Sequence, residues 1–280
     1  KYDYKDMVCL SDNEMREVTG SDTYYGGSFD EGEAHCHPLN YALGIAKAAL
    51  SAGANIFEST AAIRYKIHNN YVRVKTQNGS IKAERVILAC NGYLENLEKR
   101  LTSKILPMNN YIVATKPLDD DIVKKINPRD IAFADSRFVI NYFRLSADKR
   151  LLFGGGENYS KNLSKNIVPI VTKPLEKIYP FLKGVKIDYA WGGKLAITMN
   201  RLPFFTTLHN DKVISAQGYS GQGVALASYS GKIVSEKITG DGETFDIMSS
   251  IPRQSFPGGR FLRNPSMKIG MLYYSLLDRI

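Results

Sequence analysis

Cysteine is scarce in this chain. Cys9, Cys36 and Cys90 are an odd number at unrelated spacings, which argues against a disulfide framework and makes a reducing, cytoplasmic setting the expectation. No apolar run approaches the roughly 20 residues of a bilayer span, so no membrane partner is expected. The opening residues, KYDYKDMVCL, have neither the long apolar core nor the small-residue cleavage site of a signal peptide. A dense basic run is also missing: the formal net charge is +9, but the lysines and arginines are scattered along the chain. No nucleic-acid motif accompanies them, so nucleic acid is not an expected partner.

Other absences exclude whole chemistries. His35 and His37 could point two rings to one side of a strand, but no third or fourth ligand accompanies them. His68 and His209 fall in predicted loops, so no metal is expected. Cys90 ends an apolar strand and Cys36 has no spaced partner, which leaves a cysteine nucleophile unsupported. Gly154-Gly155-Gly156 lacks the Lys-Ser/Thr of a phosphate loop and marks a bend or a close backbone approach. The dinucleotide fingerprint G-x-G-x-x-G is absent too: a frame started at Gly221 fails at Leu226.

What is present suffices for a large core and two lobes: 280 residues, 44% hydrophobic and 23% charged. The chain is organised around Lys212–Lys237, KVISAQGYSGQGVALASYSGKIVSEK. It reads as a buried strand (Val213, Ile214, Ala216), a turn crowded by Gly218, Gly221 and Gly223, and a helix with an apolar stripe at Val224, Leu226, Ala227, Gly231 and Val234. Such a turn leaves the first helical amides unpaired, a site suited to an anionic ligand atom. A strand-to-helix turn that only packs has the same spacing.

Upstream, Ser11 and Glu14 fit a capping box, and Tyr24–His37 reads as extended chain with turns. Pro38 is placed to start a helix carrying Leu43, Ala46, Ala49 and Leu50 on one face, stopped by Gly53. A β-rich run follows, with hairpin-type turns at Asn69-Asn70 and Asn78-Gly79. The apolar strand Val86–Ala89 runs into Cys90-Asn91-Gly92-Tyr93, a second strand-to-turn corner, and then a polar helix ending near Arg100. From Ile105 to Glu157 aromatic-rich strands predict an antiparallel sheet, with an amphipathic helix over Val168–Leu182 and extended chain over Val185–Thr198. Residues 241–265 read as loop, before a terminal helix MKIGMLYYSLLDRI.

In this order the pieces resemble the FAD-dependent amino-acid and amine oxidases of the D-amino-acid oxidase type, and within that group gamma-glutamylputrescine oxidoreductases. The resemblance is carried by the helix after HCHPL, GANIFESTAAIRY through VILACNGYLENLEKRL, NYFRLSADKRLLFGGG, WGGKLAITMNRLPFF, AQGYSGQGVALAS and FPGGRFLRNPSMKIG. It implies an α+β fold: an incomplete FAD-binding lobe of the glutathione-reductase-like kind (34–104 and 199–245), an antiparallel substrate-binding sheet with flanking helices (1–33 and 105–198), and a C-terminal tail and helix (246–280). The family's N-terminal βαβ unit, which holds the FAD pyrophosphate, has no counterpart here. The chain looks like the C-terminal two-thirds of a member, whether shortened, split into two chains or degraded.

Position by position, the resemblance puts Ala62 near the adenine, Cys90, Asn91 and Gly92 along the FAD, and Gly218, Tyr219, Ser220, Gly221, Gln222, Gly223 and Val224 beside the isoalloxazine. Tyr142, Arg144 and Tyr219 become candidate substrate contacts. Basic residues that clamp an α-carboxylate in amino-acid-oxidising relatives fall at Leu195 and Ala225. Leu195 also replaces the cysteine that tethers flavin in sarcosine-oxidising relatives. The implied cofactor is therefore non-covalent FAD, absent if the missing unit is required to hold it. The implied reaction is oxidative deamination of a small-molecule amine without an adjacent carboxylate, with hydride passing to flavin and dioxygen accepting the electrons. The alternative is a non-catalytic remnant, or one half of a split flavoprotein that needs a separate N-terminal chain or a homo-oligomeric partner.

Overall fold

A computed structural model describes residues 4–137, 139–156 and 162–259, with 262 and 265. The predicted terminal helix MKIGMLYYSLLDRI lies outside them. In chain order the first elements are β1 (Met7–Leu10), α1 (Asp12–Thr19), β2 (Gly27–Asp30), α2 (Pro38–Ser51), β3 (Ala62–Ile67), β4 (Val72–Thr76), β5 (Ser80–Ala83), β6 (Val86–Leu88) and α3 (Lys99–Thr102). Then come β7 (Leu106–Thr115), α4 (Asp120–Ile126), β8 (Phe133–Ala134), β9 (Tyr142–Leu145), β10 (Leu151–Gly154) and α5 (Val168–Ile178). The last are β11 (Ile187–Ile197), β12 (Phe204–Leu208), β13 (Val213–Gln217), α6 (Gly223–Thr239) and α7 (Glu243–Ser250). Two compact units result.

The first unit comprises the described residues of segments 1–41 and 109–193. Its main sheet has the order β11-β7-β10-β9-β8. Alternation sends Tyr111, Val113, Phe143, Leu145, Leu151 and Phe153 to one face, where Val171, Leu175 and Ile178 of α5 complete the core. Phe143 stacks on Phe153 at 5.4 Å and meets Tyr179 edge-on at 5.7 Å. The opposite face therefore receives Asn110, Ile112, Tyr142, Arg144 and Gly154. The Ser11–Glu14 capping box forms as predicted, and Gly20 closes α1 at φ +61.

The second unit comprises the described residues of segments 42–108 and 194–272. Its three-stranded sheet β12-β13-β6 combines an antiparallel and a parallel pair, and β3-β4-β5 form an antiparallel meander. One side of β13 packs Ile214 and Ala216 against Ile233 and Val234 of α6 and Phe245 of α7, with Phe205 edge-on to Phe245 at 5.6 Å. The other packs Val213 among Leu88, Leu101, Ile105 and Phe204.

Two sequence expectations change. The polar helix expected after Tyr93 is a 3-10 turn over Asn91–Tyr93 and then the short α3, because Asn91 and Glu95 take positive φ. Part of the loop expected over 241–265 is α7, anchored by one buried aromatic, Phe245. Helix α2 begins at Pro38 as predicted, and its residue 40 amide donates to Nδ1 of His37 at 3.3 Å. Yet α2 buries none of its residues, leaving Leu43, Ile45 and Leu50 exposed.

Candidate functional site

The two strand-to-turn corners meet at one end of a sheet. β13 and β6 run parallel in register, Val213 opposite Val86 and Ser215 opposite Leu88, so their carboxyl ends share an edge, the place where open α/β sheets bind ligands. Asn91 takes φ 46 and accepts a hydrogen bond on Oδ1 from the Gly218 amide at 3.1 Å. Gly92 lies so close to β11 that a Cβ would stand 2.5 Å from the Lys194 carbonyl oxygen and 2.9 Å from that of Leu195. The Lys194 amide donates to the Tyr93 hydroxyl at 3.1 Å, and the Ser220 amide to the Ala196 carbonyl at 3.0 Å. The ends of β6, β11 and β13 are thus stitched into one corner.

Backbone conformation explains the glycines of the second turn. Gly218 has φ +77, and a Cβ there would lie 2.6 Å from Cγ2 of Thr198. Ser220 has φ 52 and Gly221 φ +102. Beyond Gly221 the space is open, with nothing among the described residues within 4 Å of where a Cβ would stand. Gln222 caps α6 without a side-chain bond, and the first turn of that helix carries no acid. By helix geometry the amides of Gly223, Val224 and Ala225 have no intrahelical acceptor. Gly221, Gln222 and Val224 are exposed, so these amides and the positive end of a 17-residue helix are open to an electron-rich ligand edge.

Tyr219 is buried, and its hydroxyl donates to the Ala216 carbonyl at 3.1 Å; burial raises its pKa. Cys90 is half-buried and burial pushes its thiol up, which keeps it protonated and unlike an activated nucleophile. Ala62 begins β3, exposed and paired with Thr76. Tyr142 and Arg144 belong to the first unit. There the Tyr142 hydroxyl donates to Oδ1 of Asn110 and its ring fills the space beside Gly154. Arg144 donates to the carbonyls of Leu145 (3.0 Å) and Cys36 (2.9 Å), and makes no ion pair among the described residues.

One residue of this corner escaped the sequence reading. Gln217, the last residue of β13, is fully buried, and among the described residues neither atom of its side-chain amide has a partner. Its signal was a polar residue ending the apolar strand VISAQ, directly before the turn. On the opposite side of β13, the face of β6, β13 and α6 bounds an apolar groove lined by Ile87, Ala89, Ala216, Ala227, Val234 and Ile238.

The profile of FAD dependent oxidoreductases (DAO) matches residues 2–237. The chain belongs to this family. It is 37% identical to the probable oxidoreductase OrdL of Haemophilus influenzae, over 99% of this chain and 64% of that protein. With gamma-glutamylputrescine oxidoreductase of Escherichia coli it is 36% identical over its whole length and 66% of the relative. The chain thus spans just under two thirds of these relatives. Crystallised glycine oxidase from Geobacillus kaustophilus superposes with a TM-score of 0.75 at 19% identity, covering 89% of this chain and 67% of the other. The fold of this family member is accordingly that of glycine oxidase, with mixed sheets and helices. No described helix is long and apolar enough to cross a membrane.

Proposed function

We propose that this chain supplies the flavin-edge corner and the substrate sheet of an FAD-dependent amine oxidoreductase acting on a gamma-glutamylputrescine-like amine. The observation that carries the proposal is the open corner at residues 218–224, where exposed, uncapped amides at the start of α6 adjoin the Asn91 turn. These residues fit one edge of a non-covalent FAD. The α6 amides would bind its electron-rich pyrimidine oxygen, Asn91 would hold the turn that presents them, and Ser220 and Gly221 would keep that turn in its left-handed conformation. When bound, FAD supplies the two-electron acceptance for oxidising the amine-bearing carbon, with dioxygen as the favoured final acceptor. Leu195 and Ala225 offer no cation for an α-carboxylate, which favours an amine lacking one. Tyr142 and Arg144 on the sheet face would orient that substrate, the hydroxyl by hydrogen bonding and the guanidinium by charge.

A second reading is favoured by the uncovered apolar surface of the second unit. The groove over β6 and α6, with exposed Ile87 and the exposed side chains of α2, suits a separate chain carrying the G-x-G-x-x-G unit, as in a split flavoprotein. The test is to purify the chain, add FAD, and follow flavin absorbance and fluorescence after gel filtration. Flavin retained by the chain supports the first reading. Retention that requires a co-expressed βαβ unit supports the second, and no retention under either condition overturns both.

A further inference from the structure

The meander β3-β4-β5 gathers cations that the sequence scatters. Its cross-strand partners are Lys66, Arg73 and Lys82 in one row and Arg64 with Lys75 in the next. All five are exposed. Side chains alternate across a strand, so all five stand on one face, while Tyr65, Ile67, Val72 and Val74 stand on the other. No Asp or Glu occurs between residues 62 and 83, and among the described residues none of the five forms an ion pair. Like charges placed directly opposite destabilise a sheet. The arrangement therefore carries a repulsion, only partly offset by the Tyr71 ring under Arg73 and Lys82, that an acidic group would relieve.

We infer that this face docks an extended acidic segment of a partner protein. Neighbouring rows along a strand are about 6.6–6.8 Å apart, the spacing of alternate side chains in an extended peptide. A segment with Asp or Glu at every second position, laid along β3 or β4, would set a carboxylate over each row. Other polyanions fit less well. The Tyr71 ring is already engaged, stacked on His68 at 4.3 Å with Nζ of Lys82 at 4.5 Å, so no free aromatic offers a stacking platform for bases. Among the described residues, no apolar side chain is paired into these cationic rows to provide the second anchor that stable membrane attachment needs.

The test uses the whole chain and a synthetic peptide alternating Glu with Ser. Binding is measured by fluorescence anisotropy at several salt concentrations, for the parent and for the triple variant Lys66→Gln, Arg73→Gln, Lys82→Gln. The parent is expected to bind with a steep salt dependence, and the variant to weaken Kd at least about tenfold. A control triple, Lys124→Gln, Lys125→Gln, Lys183→Gln, is expected to leave Kd unchanged. Equal affinity of parent and variant overturns the inference, as does tighter binding of a single-stranded oligonucleotide or of phosphatidylserine vesicles. A melting temperature in the variant equal to or above the parent's supports it. A clear fall would make the row a structural feature and also overturn it.

Discussion

Single residues at the corner divide by what backbone and burial demand of them. Gly218 must be glycine twice over, for its positive φ and for the Thr198 methyl where a Cβ would fall. Gly218→Ala is therefore expected to destabilise the chain by roughly 1–3 kcal/mol, read as a lower urea midpoint with an unchanged slope. Gln217 is the opposite case. An amide buried with both atoms unpaired costs about 1–3 kcal/mol relative to a satisfied or apolar group. Gln217→Leu should therefore keep or raise the urea midpoint of the chain without flavin. If flavin binds at this corner and the amide serves it, the same variant should weaken flavin retention. A fall in the apo midpoint would show that the native glutamine is already satisfied.

At the scale of elements, what was legible in the sequence was what depends on local rules. The Ser11–Glu14 box, the Pro38 start of α2 and the Asn78-Gly79 turn follow from capping and turn chemistry, and the structure builds each of them. Elements decided by distant partners were not legible. Helix α7 rests on the burial of one phenylalanine, and the cationic row depends on a strand register that brings residues 66, 73 and 82 side by side. Of the candidate site, the two glycine-containing corners could be read from sequence, whereas the Asn91–Gly218 bond joining them is a product of parallel pairing. A further tertiary device is the joint between meander and core. Glu98 accepts from Nε of Arg100 at 2.9 Å, from its Nη2 at 2.8 Å and from the Tyr65 hydroxyl, and Nη2 also lies 2.6 Å from Nε2 of His209. A guanidinium only donates, so that imidazole nitrogen accepts. The Arg100 hydrogen bonds, helped by Tyr65, hold the Glu98 carboxyl at about 2, below its ordinary 4.5. A depressed folded-state value stabilises the chain fully above about 4.5 and ceases to do so as pH falls through about 2. Glu98→Gln should lower the melting temperature near neutral pH, and the difference from the parent should shrink steadily over that acid window. A difference independent of pH would mean that the carboxylate charge does not matter to the joint.

For the whole molecule, uncovered apolar surface governs solution behaviour. The second unit exposes Leu43, Ile45 and Leu50 on α2, Ile87 on the short strand β6, and the groove beside α6. Strand β6 pairs with β13 and has no second neighbour in its sheet among the described residues, so its outer edge offers unpaired amides and carbonyls next to an apolar face. Exposed edges and patches of this kind draw chains together, and a net charge of +9 opposes that association only at low salt. The isolated chain is therefore expected to elute ahead of a 31.3 kDa monomer at moderate salt and to enhance the fluorescence of a hydrophobic dye. Ile87→Lys with Leu43→Glu should shift it toward monomer and reduce the dye signal. A covering βαβ unit, supplied as a separate chain, should do the same without any substitution, and should raise flavin retention in the same fractions. If the parent already runs as a monomer with no dye enhancement, the surface does not need a cover. The split-chain reading would then fail, while the corner at residues 218–224 would keep its own test.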